Sequence, residues 1–245
     1  MENLLRHPEL YRIGADYTAT YQVFPVEFSG KKYVVKKPRF LLSSLAHRYY
    51  TFQDQFFLRT RTVTTALDGL ELEAQKLELL QGRGAPQLVE YRERVLVREY
   101  LEGPSFRELA SDSQQQRTLD EALATLQEIH GQGITVGDAH VKNIVQTDGK
   151  AYWVDFCPAD ESNLSCSQAA DILKFIYSTY TVTRNPALTL YVARAVHQHC
   201  TERPVQEWIK ALAFHLPSTP FSLWFSNRIP LKSTLPAQIE RILSS

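Results

Sequence analysis

Residues 133–156 read "GITVGDAHVKNIVQTDGKAYWVDF". Asn143 follows Asp138 five places on, and Asp155-Phe156 closes the stretch. Between them the pattern predicts a hairpin. Ile144 and Val145 lie on one arm, Asp148-Gly149 in the turn, and Tyr152 to Phe156 on the other arm. Folding back brings Asn143, ahead of the first arm, near Asp155 at the end of the second. Asp138 sits in the loop just before. Three oxygen-bearing side chains then meet at one mouth. Magnesium takes such hard oxygen ligands and keeps water and substrate phosphates as its remaining ligands. Phosphoryl transfer asks the protein mainly to position groups and neutralise charge, with one carboxylate facing the incoming hydroxyl. Asp, Asn and Gly are also the commonest turn residues, so a lone D-x4-N is ordinarily structural. The rest of the chain has to decide.

Working outward, the first third reads as strands. "TATYQVFPVEF" (18–28) and "KKYVVKK" (31–37) are rich in β-branched and aromatic residues and are separated by Ser29-Gly30. "LDGLELEAQKLELLQGRG" (67–84) reads as a helix with Leu70, Leu77 and Leu80 near one stripe, stopped by Gly82 and Gly84. "PQLVEYRERVLVREYLEG" (86–103) gives two strand-like runs and a glycine. Beyond Gly103 the pattern turns mostly helical, with helices predicted over 119–133, 167–180 and 186–200. No internal repeat or low-complexity segment stands out. The predicted organisation is α+β: a small strand-rich N-lobe with one main helix over 1–102, and a helical C-lobe over 103–245.

Composition narrows the function classes. Lys+Arg and Asp+Glu both total 27 in 245 residues, so the net charge is zero, against the basic excess of a general nucleic-acid binder. Cys157, Cys166 and Cys200 form no CxxC pair; an odd, sparse count suits a reducing compartment and supplies no zinc site. "MENLLRHPEL" carries charges and a proline where a signal peptide needs an apolar stretch, and no run reaches membrane-spanning length. The expectation is a cytoplasmic protein.

A phosphate-binding mouth needs a positive charge. "YVVKK" offers Lys36 at the end of a buried-looking strand, and Glu73, on the next helix, is an acidic partner for it. Strand alternation admits only one of Lys36 and Lys37 to the same face. The order Lys36, Glu73, Glu99-Tyr100-Leu101, Asp138, Asn143, Asp155 matches the protein-kinase signature set throughout. On these residues the chain resembles the protein-kinase-like superfamily over roughly residues 10 to 180. "YVVK" looks like the VAIK strand, "LVREYLEG" like the hinge, "EIHGQGITVGDAHVKNIV" like the catalytic loop and "VDF" like the start of the magnesium loop. The compact prokaryotic branch is the nearest in form: RIO-type kinases, the KEOPS kinase and lipopolysaccharide-core sugar kinases. Aminoglycoside phosphotransferases share the G-D-x-H-x-x-x-N form of the loop.

The resemblance implies a two-lobed protein-kinase-like fold that uses ATP and magnesium. Lys36 would contact the α- and β-phosphates, with Lys37 as its competitor. Glu73 would hold Lys36, with Glu71 and Glu78 as alternatives. The Glu99 carbonyl and Leu101 amide would bind adenine. Asp138 would orient or deprotonate the acceptor hydroxyl, and Asn143 and Asp155 would hold magnesium. His140 is assigned a phosphate contact or a loop-packing role, His130 a structural role, and Asp171 an anchoring role on the catalytic loop. The acceptor would be a lipopolysaccharide-core sugar or a protein Ser/Thr. The alternative is a pseudokinase that binds a nucleotide or a partner without turnover.

Several positions depart from the pattern. Only Gly14 stands in "YRIGADYTATYQVF", where the family has a glycine-rich loop. Val136 replaces the usual His, Cys157 the usual Gly, and Arg98 the usual apolar gatekeeper. Fifteen residues separate Asp155 from Asp171, too few for a full activation segment. The segment "PRFLLSSLAHRYYTFQDQFFLRTRTV" (38–63) is long for a connection and has Leu41, Leu45, Tyr49, Phe52 and Phe56 at near-helical spacing. From Lys31 to Arg61 there are eight Lys and Arg against one acidic residue, Asp54. Two readings stand: a packed helix with a solvated basic face, or a surface that docks an anionic acceptor or the inner-membrane surface.

Overall fold

The computed structural model describes residues 1–17, 21–38, 66–156, 163–215 and 234–244. It is α+β: a four-stranded antiparallel sheet with one long helix comes first, and a mostly helical part follows. β1 (Tyr21–Phe28) and β2 (Lys31–Pro38) pair through the two-residue turn at Ser29-Gly30, whose φ angles of 53° and 72° are left-handed. Such primed turns match the twist of the strands they join. With α1 the short N-terminal helix Glu2–Arg6, the elements that follow β2 are α2 (Ala66–Leu80), β3 (Leu88–Arg92) and β4 (Val95–Glu99). The sheet order is β1-β2-β4-β3, so β4 inserts beside β2.

Alternation gives this sheet two different faces. On the back, Phe24, Val26, Val35, Val95 and Val97 form an apolar cluster with Leu4 and Leu5 of α1. Tyr11 and Phe28 extend it with an edge-to-face contact at 5.0 Å. On the front, Leu96 joins Leu70, Ala74, Leu77 and Leu80 of α2 in the main core. That core runs on without a break into Phe106, Trp153 and Phe175. Two polar ties reinforce the junction: the Lys76 ammonium donates to Thr135 O (2.9 Å) and Trp153 N donates to Gly84 O (2.9 Å).

The helical part contains α3 (Asp112–Gly131), the β5 (Ile144–Thr147) and β6 (Lys150–Trp153) hairpin, α4 (Leu164–Thr183), α5 (Pro186–His199), α6 (Arg203–His215) and α7 (Leu235–Ser244). The hairpin turn is Asp148-Gly149, at φ 49° and 74°. α4 is buried along most of its length and forms the centre of this part.

Some boundaries differ from the sequence expectation. α3 starts seven residues before the anticipated Leu119, because Ser111 caps it by accepting from Gln114 N and the polar run Gln114–Arg117 faces away from the core. α1, α6 and α7 were not anticipated: each is short or sits beyond the region that carried motifs. The expected strand residues 18–20 and nearly all of the basic-aromatic segment 38–63 lie outside the described residues.

Candidate active site

Cross-strand register sets the first half of the site. Lys36 on β2 pairs with Leu96 on β4, and Val34 pairs with Arg98. Partners in register share a face, so Lys36 and Arg98 both point to the front, toward α2. The Lys36 ammonium donates to Glu73 Oε2 and to Asp155 Oδ1, each at 2.6 Å. It also lies over the Tyr21 ring, 4.8 Å from the centroid. Lys37 turns to the other side and pairs with Glu9. Glu71 and Glu78 are exposed on α2, whereas Glu73 is 1% exposed.

The second half is the loop after α3. Asp171 of α4 holds it from beneath: its carboxylate accepts from Val136 N and Gly137 N, each at 2.8 Å, and contacts His130 Nε2 at 3.2 Å. Gly137 needs its φ of 81°, which glycine adopts freely. Lys174 adds a bond to Gly137 O, and Ser178 Oγ accepts from Val141 N (3.0 Å). The chain then tightens on itself. Asn143 Nδ2 donates to both Asp138 O and Asp138 Oδ2, each at 3.0 Å, and Val154 N donates to Asn143 O (3.0 Å). The hairpin therefore returns Asp155 beside Asn143.

Charges set the state of these groups. Burial raises the pKa of Glu73, and the Lys36 ammonium opposes that rise. Burial also raises the pKa of Asp138, but Lys142, Lys174 and His140 outweigh it and hold the carboxyl below its usual range. Lys142 Nζ lies 3.6 Å from Asp138 Oδ2. Burial pushes the His140 imidazole down to about 4, against the pull of Asp138. His140 is thus neutral near pH 7 and is packed in the loop, 7% exposed, with Nδ1 lacking a hydrogen-bond partner among the described residues.

Other expected residues are placed as follows. Glu99 ends β4; its amide donates to Gln87 O (2.9 Å) and its carboxylate accepts from Gln87 N (3.2 Å). Leu101 follows in a half-buried connector, next to Tyr100 and the Lys32–Glu102 ion pair at 2.8 Å. Tyr17, on the chain leading into β1, lies beside Tyr100. Four contributors escaped the motif reading: Lys76, Lys142, Lys174 and Ser178. Only the i, i+4 spacing of Asp138 and Lys142 could have flagged one of them. His130, set aside as structural, proves to be a partner of Asp171.

The residues present suit magnesium. Asn143 commits its amide nitrogen to Asp138, which leaves Oδ1 to accept or coordinate. Asp155 gives one oxygen to Lys36 and is 30% exposed. Two hard oxygens with room for phosphates and water are a usual magnesium set. Among the described residues no group of three or more His, Cys, Asp or Glu side chains could hold a metal.

No family model matches the chain, and no curated protein matches it. Solved structures do. The chain is similar to the kinase domain of Mycobacterium tuberculosis PknI (13% identity, 96% of this chain and 91% of that one, TM-score 0.47). A point mutant of the same domain matches at 15% identity over 68% of this chain and 70% of that one, with a TM-score of 0.42. WaaP in complex with acyl carrier protein matches at 15% identity over 98% and 91%, with a TM-score of 0.47. At such identities and scores these likenesses assign neither a family nor an activity. The functional reading rests on the site's own geometry.

Proposed function

We propose that this protein is an ATP- and magnesium-dependent phosphotransferase that moves the γ-phosphate to a hydroxyl. The reaction would take place in a cleft between an N-lobe (1–102) and a C-lobe (103–245). One observation carries the reading: residues 36, 73 and 155, far apart in sequence, meet through the Lys36 ammonium at 2.6 Å from each carboxylate. Phosphoryl transfer is mostly positioning and charge neutralisation, and this cluster is built for both.

Lys36 supplies the charge for the donor phosphates and is aimed by Glu73. The Glu99 carbonyl and the Leu101 amide would take the adenine edge. Asp138 faces the acceptor, fixed by Asn143. As the acceptor oxygen bonds to phosphorus and the bond to the ADP oxygen breaks, the hydroxyl proton passes to Asp138. A depressed pKa makes Asp138 a weak base, so its larger share is orientation of the hydroxyl. Magnesium, held by Asn143 Oδ1 and Asp155, would neutralise phosphate charge. His140 is buried and neutral, so it supports the loop rather than contributing charge to phosphate.

The acceptor would be a sugar hydroxyl of a lipopolysaccharide core or a protein Ser/Thr. Among the described residues no helix is long and apolar enough to cross a membrane. Any membrane contact would be peripheral and would fall on the basic segment 38–63. A second reading, a pseudokinase that binds a nucleotide or partner without turnover, is favoured by one observation: Lys36 already occupies Asp155, a magnesium ligand in the first reading.

The test is a transfer assay with γ-labelled ATP against a protein mixture, lipopolysaccharide and small sugars, with and without magnesium. Magnesium-dependent label on one acceptor class supports transfer. Nucleotide binding with no label on any acceptor favours the second reading.

A further inference from the structure

The molecule holds a second buried cation beside Lys36. Arg98 is 7% exposed, and its Nε is buried with no hydrogen-bond partner among the described residues. It faces Glu73 and Asp155 electrostatically, yet among the described residues no ion pair joins it to either. Glu73 has the matching deficit: Oε2 takes Lys36, while Oε1 is buried without a partner among the described residues. One unmet donor and one unmet acceptor, both out of water, are rare in folded proteins.

We propose that Arg98 is the positioning residue that shares Glu73 with Lys36 when Lys36 engages the nucleotide phosphates. The proposal rests on the phosphotransfer reading above. Lys36 donates to both Glu73 and Asp155. To engage phosphate it keeps Glu73 as a shared partner, and Asp155 must be released to bind magnesium. A carboxylate as buried as Glu73 cannot be left alone, since an uncompensated buried charge is strongly disfavoured. Arg98 lies on the same face, two register positions from Lys36, about 7 Å along the strand. A flexible arginine side chain spans that distance. Its planar fork suits a carboxylate with one free oxygen, and it stays charged throughout. Glu73 would pass from a bond with lysine alone to one shared with arginine, and Lys36 would gain freedom without leaving a bare anion. The basic side chain at a place where the resembling family has an apolar one then has a task.

The test is titration of Mg·ATP into the full-length wild type, Arg98→Met, Arg98→Lys, Glu73→Gln and the Arg98→Met/Glu73→Gln double variant, with Tm recorded for each. Removing one charge-assisted bond should weaken Mg·ATP binding by about tenfold or more in Arg98→Met. Its Tm should hold or rise, because an apolar side chain replaces a poorly paired buried charge. Arg98→Lys should recover part of the affinity. In the Glu73→Gln background, Arg98→Met should change affinity by less than about twofold. The proposal is overturned if Arg98→Met binds Mg·ATP like the wild type. It is also overturned if the loss is equally large without Glu73, or if it merely follows a fall in Tm that lysine does not restore. A wild type that binds no Mg·ATP removes the phosphotransfer reading, and the sharing of Glu73 with it; the other three outcomes leave that reading intact.

Discussion

The two faces of the N-terminal sheet are built from alternate residues of the same strands, yet they are different materials. The back face is built on Phe24, Val26, Val35, Val95 and Val97, closed by Leu4 and Leu5, with the Lys37–Glu9 pair outside this apolar cluster. The front face buries Lys36 and Arg98 within two register positions of each other and meets Glu73 from α2. The back face contributes stability through apolar burial, about 25 cal/mol per Å². The front face spends stability on desolvated charges, which seldom repay themselves in folding energy. A fold keeps such charges where they do something else.

The largest effect should come from the loop that completes the front face. Asp138→Asn should lower turnover by about 10²- to 10⁴-fold, the range for a positioned acid–base group, in a steady-state assay on the acceptor found by labelling. The neighbouring lysines give the sharpest contrast between the faces. Lys36→Met should cut kcat/KM by about 10²-fold or more, whereas Lys37→Met, paired with Glu9 on the other side, should stay within a few-fold. A reversal would mean that the cleft lies on the opposite face.

The back face should respond in stability rather than in rate. Phe24→Ala should cost about 3–5 kcal/mol in denaturant unfolding, with KM for ATP nearly unchanged at temperatures where the variant stays folded. Smaller, and located at the connector, is Gly103→Ala. An added Cβ would clash with Gln146 O, in backbone that Gln146 N and Pro104 O also tie together at 3.0 Å. Overpacking there should cost about 1–3 kcal/mol, read from the same unfolding curves.

The remaining effect is on pH. His140 titrates near 4 in the fold against 6.5 ordinarily, burial being the main cause. Between those values the unfolded chain binds a proton that the folded one refuses. Stability should therefore fall as pH drops through that window, by at most about 1.4 kcal/mol per pH unit from this group. His140→Gln should flatten that part of a Tm-against-pH profile.

Much of this was legible in the sequence for identifiable reasons. The hairpin declared itself through Asp148-Gly149, and β1 and β2 through their β-branched and aromatic runs. Lys36, Glu73, Asp138, Asn143 and Asp155 could be picked as candidates because phosphoryl-transfer chemistry restricts residue type at fixed spacing. The sequence could not show which of Lys36 and Lys37 faces α2; that depends on the β2–β4 register, a long-range property. Nor could it show that Lys174 and Ser178, one and two helical turns beyond Asp171, brace the loop after α3, since their partners are backbone atoms. The start of α3 was misread because capping by Ser111 matters more there than hydrophobic periodicity. Arg98 was visible as an oddity, but only the structure shows that it is buried and that its Nε has no hydrogen-bond partner among the described residues.

The central claim is that Asp155 serves the metal and nucleotide while Asp138 serves the acceptor. Calorimetric titration of Mg·ATP into the wild type, Asp155→Asn and Asp138→Asn tests it most directly. Asp138→Asn should bind Mg·ATP within about twofold of the wild type, and Asp155→Asn should bind at least about tenfold more weakly. Wild-type affinity in Asp155→Asn, or equal losses in both variants, would contradict the division of roles between the two carboxylates.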